Sequence, residues 1–319
     1  MKENSMTLQQ LRYLIAVAEY GSINAAARNL YTAQSNVSCA MHDLEEEFGM
    51  QIFTRSNRGV RLTSDGTELL GYARQVVEQA DMLEQRFTHG TAPQERLSVS
   101  AQHYAFSVQA FVDVAGTCES DDYDFVMRET ATGQILSDVR DFRSEIGILY
   151  LDSFNRPVLE KAFEDDNLVF HPLFDAPVHV FVGEQHPLAQ KSIIHAEDLA
   201  PYPRYSFEQG TENSFYYSEE PLSQLPHRKT IRYSDRGTLT SLLTHFDGYT
   251  LSTGVLSDEM QSGIASVPLA GAPTMRVGYV IHRERKPSAL LRRYIKRLRE
   301  IIRTNSSECT YLEDTAPEA

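Results

Sequence analysis

The first 90 residues carry apolar positions at helical spacing. Leu8, Leu11, Leu14, Ile15 and Ala18 recur every three to four residues, and Gly21 ends that run. Ser22 is placed to cap a second helix through Ala25, Ala26, Ala27 and Leu30, and Tyr31 and Thr32 form a short turn. A third helix is expected over about 33–48, with Val37, Met41, Leu44 and Phe48 on one face and Gly49 as its stop. The run IFTRSNRGVRLT at 52–63 then reads as a hairpin with basic residues at its tip. Ser64 is placed to cap a long helix reaching about residue 89. Its residues Leu69, Val76 and Leu83, with Ala73, Ala80 and Phe87, fall at heptad spacing. No globular partner for that stripe lies nearby in sequence, so a second copy of the chain is expected to cover it.

After a linker-like TAPQ at 91–94 the period changes. Strands are expected at 97–101, 125–129, 146–150, 178–183, 204–207, 250–252 and 277–282, with helices such as 133–142 and 238–245 between them. That alternation predicts an α/β region with mainly parallel sheets. A basic helix over 289–303 closes it, and the polar, acidic stretch from Thr304 is expected to be disordered.

Charge sharpens the division. The net charge is −14, which argues against nucleic acid as a partner until its distribution is considered. Residues 1–66 are nearly balanced, with six Lys or Arg against seven Asp or Glu, so the acidity belongs to the remainder. A small DNA-binding head on an acidic body fits, because phosphate contact is a local property of one surface. Cys39, Cys118 and Cys309 lie far apart without a CxxC, which excludes a disulfide framework or zinc finger and suits a reducing compartment. No run of 18 apolar residues and no leader-like N-terminus is present, so a soluble, cytoplasmic protein is expected, without a membrane partner.

The chemistry of the head follows from its residue types. Small alanines let two helices cross closely. The third helix opens with AQSNVS, whose amides and hydroxyls suit base edges and phosphates in a major groove. Arg55, Arg58 and Arg61 on the hairpin suit phosphates or a minor groove. A winged helix-turn-helix is the sharp reading; an ordinary three-helix domain is the bland one. No GxSxG, HExxH or GxGxxG occurs, and His171, His179 and His186 do not have metal-ligand spacing, so no enzyme, cofactor or metal is expected.

The run LRYLIAVAEYGSINAAARNLYTAQSNVSCAMHDLEEEFGMQIFTRSNRGVRLTSDG resembles the signature of the LysR-type transcriptional regulators. The likeness rests on the paired alanines, Gln34, Ser35, Val37, Ser38, Leu44, Glu45, Gly49, Phe53, Arg55, Leu62, Thr63 and Gly66. It implies a winged head (1–65), a linker and dimerisation helix (66–92) carrying Leu69, Val76 and Leu83, and an effector-binding region (93–303). A tail (304–319) follows. The effector region is implied to be two α/β subdomains resembling a periplasmic binding protein, one over about 95–168 plus 274–303 and the other over about 169–273.

Carried over by position, the resemblance places Thr32, Gln34, Ser35, Asn36 and Ser38 at double-stranded DNA, with Arg55 and Arg58 in the wing. After Ser38 the family usually offers two basic residues; here Cys39, Ala40, Met41 and His42 stand there. His42 is a pH-sensitive partial substitute, and Cys39 reads either as a small groove-facing residue or as a redox sensor. The implied partners are a second or further copies of the chain, as homodimer or homotetramer, a small-molecule effector, and RNA polymerase.

Ligands in open parallel sheets sit beyond the carboxyl ends of strands. Those ends supply Ser100, Gln102, His103, Thr130 and Thr132 from one subdomain and Arg204, Tyr205, Phe207 and Thr253 from the other, with Arg204 suited to a carboxylate. Ser100 and Thr130 equally read as helix caps, Tyr205 as core and Arg204 as a surface ion pair. A DNA-binding protein with a degenerate effector region, acting through protein contacts, is the alternative.

Overall fold

The computed structural model describes residues 6–56, 59–88, 94–210, 214–256, 262–305 and 309–312. By contacts the chain divides into Met1–Gln94 and Glu95–Ala319.

The first unit contains α1 (Leu8–Tyr20), α2 (Ile23–Asn29), α3 (Gln34–Phe48), β1 (Phe53–Ser56), β2 (Gly59–Leu62) and α4 (Ser64–Thr88). Local chemistry sets the boundaries. Thr7 and Gln10 form a capping box at the start of α1, and Gly21 ends it at φ 61. The Ser22 hydroxyl accepts from the Ala25 amide. The cap of α4 is Thr63 rather than Ser64: its hydroxyl accepts from the Gly66 amide at 2.9 Å and donates to the Gln51 carbonyl at 2.7 Å. Gly66 itself is required by close approach, since a Cβ there would meet the Ile52 carbonyl oxygen at 2.1 Å.

The core of this unit joins Leu11, Leu14 and Val17 of α1, Ala26 and Ala27 of α2, Val37, Met41 and Leu44 of α3, and Leu70 and Ala73 of α4. Phe48, expected on the buried face of α3, is 41% exposed as the last residue of the helix. Ala73 departs from its expected role too: its place in the heptad stripe is covered by this unit's own core. The antiparallel β1–β2 ladder pairs Phe53 with Leu62 and Ser56 with Gly59. Glu45 of α3 fixes the start of this hairpin by accepting from the Ile52 and Phe53 amides.

The second unit has two lobes. Lobe I begins with β3 (Glu95–Ala101), α5 (Ala105–Gly116), β4 (Tyr123–Glu129), α6 (Thr132–Arg140), β5 (Ile146–Leu151), α7 (Arg156–Asp165) and β6 (Leu168–Pro177). Lobe II follows with β7 (His179–Gly183), α8 (Ala196–Leu199), β8 (Arg204–Phe207), β9 (Thr230–Tyr233), α9 (Arg236–His245), β10 (Thr250–Ser252) and β11 (Ile264–Pro268). The chain returns to lobe I through β12 (Thr274–His282), α10 (Ala289–Asn305) and β13 (Thr310–Tyr311).

Lobe I is a six-stranded sheet of order β13-β6-β12-β5-β3-β4. β5 is buried along its whole length, and its alternate residues feed different cores. Ile148 and Tyr150 join the side with α5 and α10; Leu149 and Leu151 join the side with α6 and α7. The expected mainly parallel pairing is corrected. β3 pairs parallel with β4 and β5, but β12 is antiparallel to β5 and β6. Helical crossovers make the parallel pairs, whereas β12 re-enters from lobe II running the opposite way. Lobe II holds the antiparallel sheet β10-β7-β11 and the parallel pair β8-β9.

Two expectations about boundaries also change. β6 belongs to lobe I throughout, so that lobe extends to Pro177 rather than 168. The tail is ordered where it is described. Thr310 and Tyr311 pair with Asp175 and Phe174, the Leu312 amide donates to Leu173, and Cys309 is buried. An unpaired edge of β6 supplies the hydrogen bonds that composition alone did not reveal.

Candidate nucleic-acid interface and inter-lobe cleft

In the first unit, the turn between α2 and α3 and the first turn of α3 form one polar surface. Gln34, Ser35 and Asn36 are exposed, while Val37 and Ala40 on the same helix are buried, as the helical period requires. Thr32 and Ser38 are half-buried, and the Asn36 side chain donates to the Thr32 hydroxyl at 3.3 Å. His42 is exposed one turn further along. Ala33 offers the helix no side-chain cap. The first-turn amides of Gln34 and Ser35 therefore depend on an outside acceptor, which suits a phosphate.

Tyr31, not singled out from the sequence, is 98% exposed and sits in the turn at φ 51. A large aromatic in a turn that favours small residues was the available signal. Exposed Cys39 has its sulfur 3.7 Å from an Asp43 carboxylate oxygen. Arg55 lies in β1, and nothing is described of its side chain; Arg58 lies outside the described residues. On α4, Leu69 is half-buried, whereas Val76 is 42% and Leu83 62% exposed.

The cleft of the second unit is bounded by the loops after β3, β4, β8 and β9. Several expected site residues prove to be internal. The Ser100 hydroxyl is buried against Asp138 and Ser144 at 2.8 Å each, and neither Ser100 nor Thr130 caps a helix, since the cap positions of α5 and α6 are Tyr104 and Ala131. The buried Thr132 hydroxyl accepts from the Gln102 side-chain Nε2 at 2.7 Å. Arg204 is buried, and its guanidinium donates to the carbonyls of Pro221 and Leu222 at 2.7 and 2.8 Å. Tyr205 is fully buried and donates to the Phe246 carbonyl at 2.7 Å; burial pushes its phenol up to about 12. Thr253 is buried and accepts from the Val255 amide. None of these five lines either hollow described below. All sit at or near strand ends, where backbone groups left over by the sheet take up polar side chains.

Gln102, His103 and Thr130 do reach the cleft. A hollow of about 30 Å³ is lined by Gln102, His103, Glu219, Glu220, Arg236 and apolar residues of lobe II. A more open polar trough of about 370 Å³ lies at the start of α6, lined by Glu129, Thr130, Gln134, Glu208, Gln209 and Ser234. The lobes are tied across the cleft. Glu219 accepts from His103 Nδ1 at 2.8 Å, Gln209 accepts from the Thr132 amide at 3.2 Å, and Arg236 lies 3.4 Å from Glu129. The His103 ring also rests on Phe207, with centroids 3.8 Å apart.

The electrostatics follow from burial. Burial alone lowers the His103 pKa, but the charge and hydrogen bond of Glu219, helped by Glu129 and Glu220, outweigh it and leave the pKa raised. Burial first, and the Glu219 charge second, push the Glu220 carboxyl up to about 7. Burial also raises Glu129, partly offset by Arg236.

Glu129, Glu219, Glu220 and Arg236 were missed by sequence reasoning. β9 went unrecognised, and with it the loop leading to α9. A short β-branched TIRY run before Asp235, which caps α9 through the Thr238 amide at 2.8 Å, was the signal present. The histidines excluded as metal ligands do separate work. His171 stacks on Tyr279, His179 bonds the Pro177 carbonyl, and His186 accepts from the Leu188 amide.

The family model described as "Bacterial regulatory helix-turn-helix protein, lysR family" matches residues 8–67, and "LysR substrate binding domain" matches residues 121–303. The chain is 26% identical over 324 residues to the HTH-type transcriptional regulator MetR of Haemophilus influenzae, covering 98% of this chain and 93% of that one. It is 27% identical over 297 residues to the uncharacterized HTH-type transcriptional regulator YeiE of Escherichia coli, covering 91% and 96%. Among solved structures, a cysteine-to-aspartate variant of full-length OxyR from Pseudomonas aeruginosa is similar with a TM-score of 0.63 at 23% identity, covering 98% of this chain and all of that one. That likeness is one of fold.

Proposed function

The chain belongs to the LysR family of bacterial helix-turn-helix transcriptional regulators, and on that premise we propose how its own residues read DNA and sense an effector. The family is one of DNA-binding regulators with an effector-binding domain, oligomeric and not enzymatic. In our reading Gln34, Ser35 and Asn36 of α3 face base edges, and Thr32 and Ser38 contact the phosphate backbone. Tyr31 lies alongside them, His42 adds a pH-sensitive contact, and Arg55 and Arg58 act from the wing. The observation that supports this is the exposed polar first turn of α3 on an otherwise closed three-helix core.

Two such heads act together. Val76 and Leu83, left exposed along α4 with Leu69 half-covered beside them, form the seam on which a second copy pairs, and effector units extend the dimer to a tetramer. A small molecule entering the inter-lobe cleft shifts the lobes and, through them, the spacing of the heads on a two-fold DNA site. RNA polymerase is the downstream partner and the cytoplasm the working compartment. No helix among the described residues is long and apolar enough to cross a membrane.

The test is operator mapping followed by binding titrations. Gln34→Ala should lose specific binding while retaining salt-sensitive non-specific binding, and Val76→Asp with Leu83→Asp should yield monomers in sedimentation. Retained specificity in the first variant, or an intact dimer in the second, overturns the corresponding assignment. A second reading, in which the effector unit works only through protein contacts, is favoured by the small size of the inner hollow. A metabolite library that shifts the unfolding temperature separates the two.

A further inference from the structure

The inner cleft is stoppered by the chain itself. Residues 218–222 of lobe II run into it. Glu219 carries its carboxylate onto lobe I, where it accepts from His103 Nδ1 at 2.8 Å and from the His103 amide at 3.4 Å, at the entry to α5. Both side chains are nearly closed to solvent, at 3% and 8% exposure. Glu220 faces the other way and accepts from the Phe207 amide, the Ser218 hydroxyl and the Tyr233 hydroxyl. Arg204 holds the segment by the carbonyls of Pro221 and Leu222, and Tyr150 donates to the carbonyl of Ser218.

With the segment in place the hollow measures about 30 Å³. That is room for a water, whereas small-molecule sites occupy roughly 300–1,000 Å³. A metabolite that enters this inner hollow, rather than the open trough at the start of α6, therefore has to displace part of the segment. The segment is also under strain. Adjacent buried carboxylates repel each other, and Leu222 stands at φ 60, in the left-handed region that non-glycine residues rarely adopt.

We propose that Glu219 is an internal carboxylate ligand of the cleft, and that the effector is a small organic carboxylate with an apolar body that takes over its donors on His103. The proposal rests on the reading of this unit as an effector sensor. Its chemistry follows from what Glu219 leaves behind. Two donors on His103, its ring Nδ1 and its backbone amide, then lack their acceptor, and only a charged acceptor offsets the burial of the ring; an external carboxylate supplies both where a neutral amide does not. The apolar body is specified by the rest of the lining, where Phe181, Leu239, Leu243 and Ile264 face the same hollow. Glu219 thus sets a threshold, because an effector binds only as strongly as it outcompetes a carboxylate already present in the chain.

The experiment uses full-length protein, with calorimetric titration and thermal unfolding against C4–C8 monocarboxylates and benzoate, and their primary amides as neutral controls. Glu219→Ala should bind at least one of these carboxylates tenfold or more tightly than the wild type does, and more tightly than it binds the matching amide. Glu219→Gln, which keeps the bulk but loses the charge, should gain less. A Glu219→Ala protein that is folded by circular dichroism and binds every carboxylate no better than wild type overturns the proposal. Where Glu219→Ala fails to fold, Glu219→Gln decides by the same comparison with wild type. A compound from a wider metabolite library that stabilises wild type and Glu219→Ala equally overturns the internal ligand while leaving the effector reading intact.

Discussion

The first turn of α3 and the inter-lobe cleft are both rich in polar side chains, yet they use them in opposite ways. On α3, Gln34, Ser35 and Asn36 face solvent, with one side-chain bond within the set and its turn, Asn36 to Thr32. In the cleft, Ser100, Thr132 and Arg204 are absorbed into bonds with other parts of the fold. A polar side chain on an exposed helix face remains available to a partner. One at a strand end is as readily taken up by the leftover donors and acceptors of the sheet. Polarity therefore leaves a side chain available in the first setting and often spends it on a structural bond in the second.

Mutation should separate the two settings. The largest effect is expected at Arg204→Ala, which strands the carbonyls of Pro221 and Leu222 and loosens the segment behind Glu219. A loss of about 3–5 kcal/mol is expected, read as a fall on the order of 10 °C in the unfolding of the effector unit. An unchanged unfolding temperature would mean Arg204 is not structural. Gln34→Ala should do the reverse. It should leave unfolding in place and weaken binding to the mapped operator by about 1–3 kcal/mol, as measured by fluorescence anisotropy.

The cleft should also respond to pH in a direction fixed by its titrating groups. Glu220, raised from 4.5 to about 7, and His103, raised from 6.5, both hold protons more tightly in the folded state. Their contribution is fully present below about pH 4.5 and is lost as pH rises through 7 and beyond, so the stability that the cleft adds should fall between pH 5 and 8. The depressed carboxyls Asp198 and Asp235 act in the opposite sense only as pH falls below about 3.8, outside that window, whereas His186 and His282, lowered from 6.5 by burial, oppose the fall inside it. Chemical denaturation at several pH values should show the slope, and Glu220→Gln should flatten it. The smallest effect is expected at Arg12→Ala on α1. Its 2.7 Å ion pair with Asp81 of α4 is more than a third exposed and screened by solvent, so its loss should cost under about 1 kcal/mol in denaturant titration.

The same contrast decides how legible each part was in the sequence. In the head, Gly21, Gly49 and the apolar period fixed the helix ends, and the period alone put Gln34, Ser35 and Asn36 outside and Val37, Met41 and Leu44 inside. A one-residue shift of the α4 cap, from Ser64 to Thr63, was the main local error. In the second unit, β8 and β10 were read at their observed ends, but β6, β9 and β11 were passed over: β9 and β11 are only four and five residues long, and the ten residues of β6 lack clear alternation. With β9 went Arg236, and with the irregular stretch after β8 went Glu219 and Glu220. Nothing in their local sequence says that they meet His103, more than a hundred positions away.

The sequence by itself determined the division into head and body, the helices of the head, the polar face that α3 leaves exposed, and a family signature spread over its first 60 or so residues. These are properties of neighbouring residues, set by periodicity, capping and backbone freedom. Only the tertiary structure decided which polar groups of the body remain free, that β12 returns antiparallel through lobe I, that the chain near residue 310 pairs with β6, and that the cleft holds a carboxylate of its own. Each of these depends on contacts between distant segments, where burial and hydrogen-bond supply, rather than residue type, determine what a side chain does.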